Sequence, residues 1–329
     1  MKIIAAIIGM GIGQKHFDAI ENYNNSYVKI ICEKDKKKLA LLKKKYPSKI
    51  ITNNEDLIFF DSEVNLVSIA SYDNFHFSQI MKGLKNDKNL IIEKPMCLSE
   101  LQLKKIYQLL KIKKKLKITS NLVLRTNSLF KQLKKKINKK DLYYLEADYL
   151  WGRSSKLYGW RSKINHYSVI YGAAIHMIDI MVWLIGLKPI SVNSFGNDIV
   201  TKNSVFKKKS FVVMIFEFPN NILVKITGNA PAIYDHYHEI KIFSKNKTLV
   251  NSLLGSFEYK RGNLSKIKSN YPDKKNRKKL IHNFIDYLLK KNIKPIINHQ
   301  DQFDLMSMCF AAEKSLSSKK KIKIKYLIK

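Results

Sequence analysis

An apolar run over residues 3–8 ends in Gly9-Met10-Gly11-Ile12-Gly13 and passes straight into an amphipathic stretch beginning at Gln14. A buried strand that turns on glycines into a helix opens a βα unit, and repeated βα units build a parallel sheet. Because the run follows a lysine, a secretory signal also has to be weighed. Three glycines interrupt it and no small-residue cleavage site follows, so a strand entering a turn fits better. No other stretch approaches the roughly 18 apolar residues needed to span a bilayer, and a soluble protein without a membrane partner is expected.

The βα rhythm continues through the first third of the 329 residues. Strands are expected near 2–9, 27–33, 49–52, 65–70, 89–93 and 117–121. Helices are expected near 14–24, 36–45, 54–60, 74–86 and 99–114. The fold class is α/β: an N-terminal Rossmann domain with a doubly wound parallel sheet over residues 1–122, then an α/β domain with a largely antiparallel open sheet over 123–329. In the second domain, helices are read near 126–138 and 168–186. Strands are read through 143–149 and near 189–199, 210–218, 222–229, 237–244 and 247–251. Helices near 276–291 and 300–318, expected to brace the first domain, and a strand around 321–327 close the chain.

A formal charge of +35 raises nucleic acid or an anionic membrane as partners. The excess is nearly all lysine, in runs such as Lys36-Lys37-Lys38 and Lys134-Lys135-Lys136 that fall on expected helices as solvated faces. No nucleic-acid-binding module is recognisable, and none is expected. Cys32, Cys97 and Cys309 are odd in number and widely spaced, which argues against a disulfide framework and fits a reducing cytoplasm. His166, His236 and His238 lack a matching carboxylate or cysteine set, so no metal site is expected.

At the glycine turn, Gly9, Met10, Gly11, Ile12 and Gly13 would bring free backbone N–H groups to a dinucleotide pyrophosphate, although the third glycine comes one position earlier than in GxGxxG. The second expected strand ends at Glu33, about 20 residues on, where a carboxylate accepts hydrogen bonds from ribose hydroxyls and repels a 2′-phosphate. NAD is therefore expected over NADP, against the pull of Lys34, Lys36 and Lys37.

The fourth strand runs into Ser71-Tyr72-Asp73-Asn74-Phe75-His76, and the fifth into Glu93-Lys94-Pro95. Together with Trp160-Arg161 and the stretch from Gly172 to Asp179, these resemble the TPNxxH and EKP signatures of the glucose-fructose oxidoreductase, inositol dehydrogenase and MocA (Gfo/Idh/MocA) family over nearly the whole chain. The resemblance implies that Ser71, His76, Glu93 and Lys94 line the cofactor and that a cis peptide bond precedes Pro95. It implies further that Lys94 polarises the reacting oxygen, that His176 takes the hydroxyl proton, and that Arg125, Trp160 and Arg161 line the substrate pocket. An arginine fork suits carboxylate, phosphate or paired hydroxyls, and an imidazole suits proton transfer near neutral pH. Asp179, three residues after His176 and on nearly the same helical face, would orient it, bind a substrate hydroxyl or cap a neighbouring backbone group. Each residue has a plainer reading as well: a solvated lysine, a core histidine, a packing tryptophan or a salt-bridge arginine.

One departure stands out, because many relatives carry an aspartate where this chain has Gly172. Either Lys94 and His176 suffice, or a group such as Tyr167 or Tyr171 substitutes, or turnover has been lost. The expected function is an NAD(P)-dependent dehydrogenase acting on a secondary alcohol of a sugar, nucleotide sugar or cyclitol, working as a homodimer or homotetramer. The alternative is a non-catalytic dinucleotide-binding sensor or partner subunit.

Overall fold

The computed structural model describes residues 2–21, 23–273 and 275–328. Six strands, β1 (Ile3–Ile8), β2 (Ser26–Cys32), β3 (Ile50–Thr52), β4 (Leu66–Ile69), β5 (Asn89–Ile92) and β6 (Ile118–Ser120), alternate with five helices. These are α1 (Gly13–Ile20), α2 (Lys36–Lys45), α3 (Asp56–Phe59), α4 (His76–Lys85) and α5 (Glu100–Ile112). The strands pair in parallel in the order β3-β2-β1-β4-β5-β6. β1 lies inside the sheet and is covered on both faces, which is why Ile3, Ala5, Ala6 and Ile7 have no exposed surface and why its sequence is continuously apolar. The strand order reverses between β1 and β4, and the crevice outside the carboxyl ends of strands at such a reversal is where doubly wound sheets bind ligands.

The chain continues through α6 (Ser128–Lys136), β7 (Leu142–Leu150), the short α7 (Trp160–Lys163), and a π-helical turn, Ile170–Ala174, that runs on as α8 (Ile175–Ile185). There follow β8 (Ser191–Asn197), β9 (Phe211–Glu217), β10 (Leu223–Asn229), β11 (Tyr237–Ser244), β12 (Thr248–Ser252), β13 (Gly255–Lys260) and β14 (Asn263–Lys266). After α9 (Asn276–Leu288) and α10 (His299–Ser318), β15 (Ile322–Lys323) closes a nine-stranded sheet in the order β14-β13-β12-β11-β7-β10-β9-β8-β15. Its pairs are antiparallel except β7 with β10. α8 packs on β7 and β10, and β9 shows the alternation of a sheet covered on one face, with Val212, Met214 and Phe216 buried.

Contacts divide the chain into two compact units: Met1–Thr126 with Lys274–Gln302, and Asn127–Asp273 with Phe303–Lys329. In the first, α9 inserts Ile281, Phe284, Ile285 and Leu288 into the core built by β1, β2 and α1.

The structure corrects the sequence reading at four places, the first being α10, which was expected to brace the first domain but from Phe303 on belongs to the second unit. The helix expected near 14–24 ends at Ile20, with residue 22 outside the described residues. The strand expected over 321–327 shrinks to Ile322–Lys323. The hairpin β13–β14 was not anticipated. Among the described residues no helix is long and apolar enough to cross a membrane, and the three cysteines are buried free thiols.

Candidate active site

Each unit presents its own set of the residues singled out by sequence. In the first unit, β1 delivers the glycine turn, and the three glycines do different work. Gly9 adopts φ +86° and donates its N–H to the Cys32 carbonyl at 2.8 Å; a Cβ there would lie 2.7 Å from the Ala70 carbonyl oxygen. Gly13 lets α1 settle on β1, since a Cβ would come within 3.0 Å of Ile7. Gly11 has nothing within 4 Å of its Cβ position, which leaves the open approach a pyrophosphate needs. α1 has no acidic residue in its first turn and no side-chain cap, so its N-terminal N–H groups stay available to an anion. The turn therefore fits a dinucleotide despite its compressed spacing. Gly9→Ala is expected to cost about 2 kcal/mol or more of stability and to abolish NAD binding, measured by thermal unfolding and calorimetry.

Glu33, at the end of β2, is buried, and its carboxylate accepts from the backbone N–H groups of Met10 at 2.9 Å and Asp35 at 3.0 Å. Those bonds fix an acceptor beside the glycine turn. His76 has no exposed surface, and its two ring nitrogens lie 2.7 Å from the Pro95 carbonyl and 3.1 Å from the Ser71 carbonyl, tying the segment after β4 to the segment after β5. Ser71 donates to Gln79 at 2.6 Å, and Gln79 donates to Glu55 at 2.8 Å.

Glu93 turns inward. It accepts from Asn121, lies 3.1 Å from His16 Nε2 and 3.8 Å from Arg277 Nε, and His16 in turn lies 2.7 Å from Ser68 Oγ. Burial pushes its carboxyl upward, but His16, Arg277 and Lys94 outweigh that and hold it well below the usual carboxylate range. A fixed anion thus underlies Lys94, which is half-buried and joined to Pro95 by a cis peptide bond. Arg125 is buried and paired with Asp301 at 2.9 Å, inside the same unit.

In the second unit residues 167–181 are buried at every position except His176, which is half-buried. Tyr149 of β7 stacks on His176, with centroids 6.0 Å apart and planes 12° from parallel. Tyr149 also meets His238 at 4.7 Å, His236 at 5.3 Å and Trp151 at 6.4 Å, and His238 Nδ1 is hydrogen-bonded to the Tyr271 hydroxyl. Burial, with His236 adding to it, pushes His238 down to about 3, so it sits neutral behind Tyr149. Asp179 of α8 is buried at 2 % exposure.

Gly172 lies within the π-helical turn, a distortion common at functional sites. The space its side chain would take is filled, because a Cβ there would sit 1.9 Å from the Tyr167 hydroxyl oxygen. Tyr167 is held edge-on to Trp160 at 6.1 Å and to Phe206 at 6.0 Å. Arg161 lies over Trp160 at 4.1 Å and beside Trp151 at 5.4 Å. Sequence reasoning named Tyr167 only as a stand-in and missed Tyr149, Trp151 and the His16–Glu93 pair. Tyr149 and Trp151 carried a weak signal, lying on and just after a recognised strand.

Residues 3–121 match the oxidoreductase family model with an NAD-binding Rossmann fold, and residues 130–250 match the GFO/IDH/MocA C-terminal domain. Similar solved structures include myo-inositol 2-dehydrogenase from Lactobacillus plantarum, at TM-score 0.81 and 15% identity over 99% of this chain and 100% of that one. Scyllo-inositol dehydrogenase from Lactobacillus casei with bound NAD(H) and scyllo-inositol gives 0.82 and 15% over 98% and 99%. UDP-N-acetylglucosamine 3-dehydrogenase from Acidithiobacillus ferrooxidans gives 0.80 and 16% over 97% and 99%. At such identities these structures speak for the fold. No curated protein sequence matches the chain. With both family models matched in order along one chain, the protein belongs to the GFO/IDH/MocA oxidoreductase family and carries its NAD-binding Rossmann domain.

Proposed function

We propose that the protein is an NAD-dependent dehydrogenase that oxidises a secondary alcohol of a sugar, nucleotide sugar or cyclitol. The observation that carries this reading is the placement of the glycine turn, Glu33 and Lys94 at the carboxyl ends of β1, β2 and β5 of one parallel sheet. NAD, when bound, supplies the hydride acceptor. The turn and the start of α1 hold its pyrophosphate, and Glu33 accepts from its ribose. Lys94 donates a hydrogen bond to the substrate oxygen and stabilises its developing negative charge, while Glu93 beneath it compensates the ammonium. His176 receives the hydroxyl proton at its ring nitrogen and passes it to solvent. Ser71 and His76 shape the cofactor edge, and Trp160, Arg161 and Asp179 belong to the substrate side. Arg125, paired with Asp301, is likewise assigned to the substrate side.

A phosphate on the ribose would approach the fixed Glu33 carboxylate, which favours NAD over NADP. Glu33→Ala is expected to weaken NAD about 10- to 100-fold, the loss of roughly 1.5–3 kcal/mol from a charge-assisted hydrogen bond, and to narrow the gap to NADP. Calorimetric titration of both cofactors checks it. The function itself is tested by following NADH at 340 nm with NAD and a panel of cyclitols, aldoses, sugar acids and nucleotide sugars. Turnover of any member supports the reading. Tight NAD binding with no turnover across the panel would favour a dinucleotide sensor instead.

A further inference from the structure

The chain has five arginines, and their placement is uneven. Arg125 and Arg277 face Asp301 and Glu93 in the first unit, and Arg261 sits in the turn between β13 and β14. The other two, Arg153 and Arg161, fall with Lys156 on the short segment after β7 that holds Trp151 and Trp160. Elsewhere in this unit lysines reach carboxylates: Lys136 pairs with Glu258, Lys188 with Asp304 at 2.6 Å, Lys209 with Asp198 at 3.0 Å, and Lys225 and Lys241 with Glu146, each at 3.4 Å. Among the described residues Arg153, Lys156 and Arg161 form no such pair, although the unit has carboxylates to spare for single lysines.

The three cations are also near one another. Arg161 donates to the Lys156 carbonyl at 3.3 Å while its guanidinium lies 4.1 Å from the Trp160 ring centre and 5.4 Å from that of Trp151. Trp151 meets Tyr149 edge-on, and Tyr149 stacks on His176, so an unbroken run of ring contacts leads from Arg161 to the histidine. The charges are felt along that run. Burial lowers the Lys156 ammonium, and repulsion from Arg153 and Arg161 lowers it further. Burial lowers His236 as well, with Arg153 and Lys156 adding to it. Positive charges gathered on one short segment repel one another, and a bound oxyanion would relieve that repulsion.

We propose that Arg153, Lys156 and Arg161 form a subsite for the oxyanion of an acidic substrate, a carboxylate or phosphate carried on the sugar whose alcohol is oxidised. The inference rests on the dehydrogenase reading and narrows it, selecting sugar acids and nucleotide sugars over neutral cyclitols. Arg161, oriented by the two tryptophans, supplies a bidentate fork, and Arg153 and Lys156 supply less constrained charge from the exposed side of the segment.

The test uses the full-length protein saturated with NADH, so that the dinucleotide site is filled, and titrates glucuronate, UDP-N-acetylglucosamine and scyllo-inositol by calorimetry at low and high salt. The same titrations are run on Arg153→Gln/Arg161→Gln, with NADH affinity as the control for folding. The expected result is that one of the two anionic probes binds at least 10-fold more tightly than scyllo-inositol, weakens with salt, and loses 10- to 100-fold in the variant. A carboxylate source is indicated if glucuronate leads, a phosphate source if the nucleotide sugar does. Tighter binding of scyllo-inositol, or anion binding unchanged in the variant, overturns the subsite. Turnover of scyllo-inositol alone would do so while leaving the dehydrogenase reading standing; salt-sensitive anion binding lost in the variant, without turnover of any probe, would uphold the subsite and count against the dehydrogenase.

Discussion

Gly172→Asp is expected to cost about 3 kcal/mol or more of stability and to remove activity, although it introduces the side chain many relatives carry there. The Tyr167 hydroxyl already stands 1.9 Å from the position of the new Cβ, inside any permissible contact. Tyr167 cannot step aside cheaply, since it is buried at 3 % exposure between Trp160 and Phe206. Overpacking a filled core costs roughly 1–3 kcal/mol, and a carboxylate buried without a built partner adds to that. The stronger part of the expectation is non-additivity. In Tyr167→Ala/Gly172→Asp the space is vacated, so the double variant should be more stable than Gly172→Asp alone, as read from urea unfolding at constant m-value. Simple addition of the two single losses would show that the residues do not compete for one volume.

The second large effect concerns the chemistry. Lys94→Ala and His176→Ala are each expected to lower kcat by about 10²- to 10⁴-fold, the range for losing a positioned charge or a general base. Neither change should unfold the protein. His176 is the one residue of 167–181 that is not buried, and Lys94 is half-buried, so truncation opens no large cavity. NAD affinity should survive in His176→Ala, because His176 lies in the second unit and the glycine turn in the first. A loss of less than about 10-fold in kcat for either variant, with the fold intact by unfolding measurements, would take that residue out of the reaction.

Much of this was legible in the sequence, for reasons particular elements make plain. β1 reads as a strand because burial on both faces leaves it no polar position, and β9 reads as one because only one face is buried. The hairpin partner β14 escaped notice because all four of its residues are exposed and no apolar periodicity marks it. α7, four residues long, is too short for a helical period to register. The parallel pairing of β7 with β10 is a tertiary choice between strands far apart in the chain.

The same division runs through the candidate site. The glycine turn and Glu33 could be read from local spacing, and the structure joins them through the Met10–Glu33 hydrogen bond. The inward partners of Glu93 stand 77 residues away at His16 and 28 residues away at Asn121, where no local pattern reaches. Arg125 is expected on the substrate side by resemblance, and its pairing with Asp301 is a contact whose nearness only the folded chain reveals. Gly172 showed as a gap, and the structure shows what occupies it.

The most direct test of hydride transfer is to follow the hydrogen itself. With a substrate from the panel deuterated at its alcohol carbon, NADH recovered after turnover is analysed by mass spectrometry. Hydride transfer from the alcohol carbon places one deuterium on the nicotinamide C4 of each NADH formed, with the hydroxyl proton released to water. Substrate consumed while the NADH carries no label, or product formed with NAD left unreduced, would contradict it.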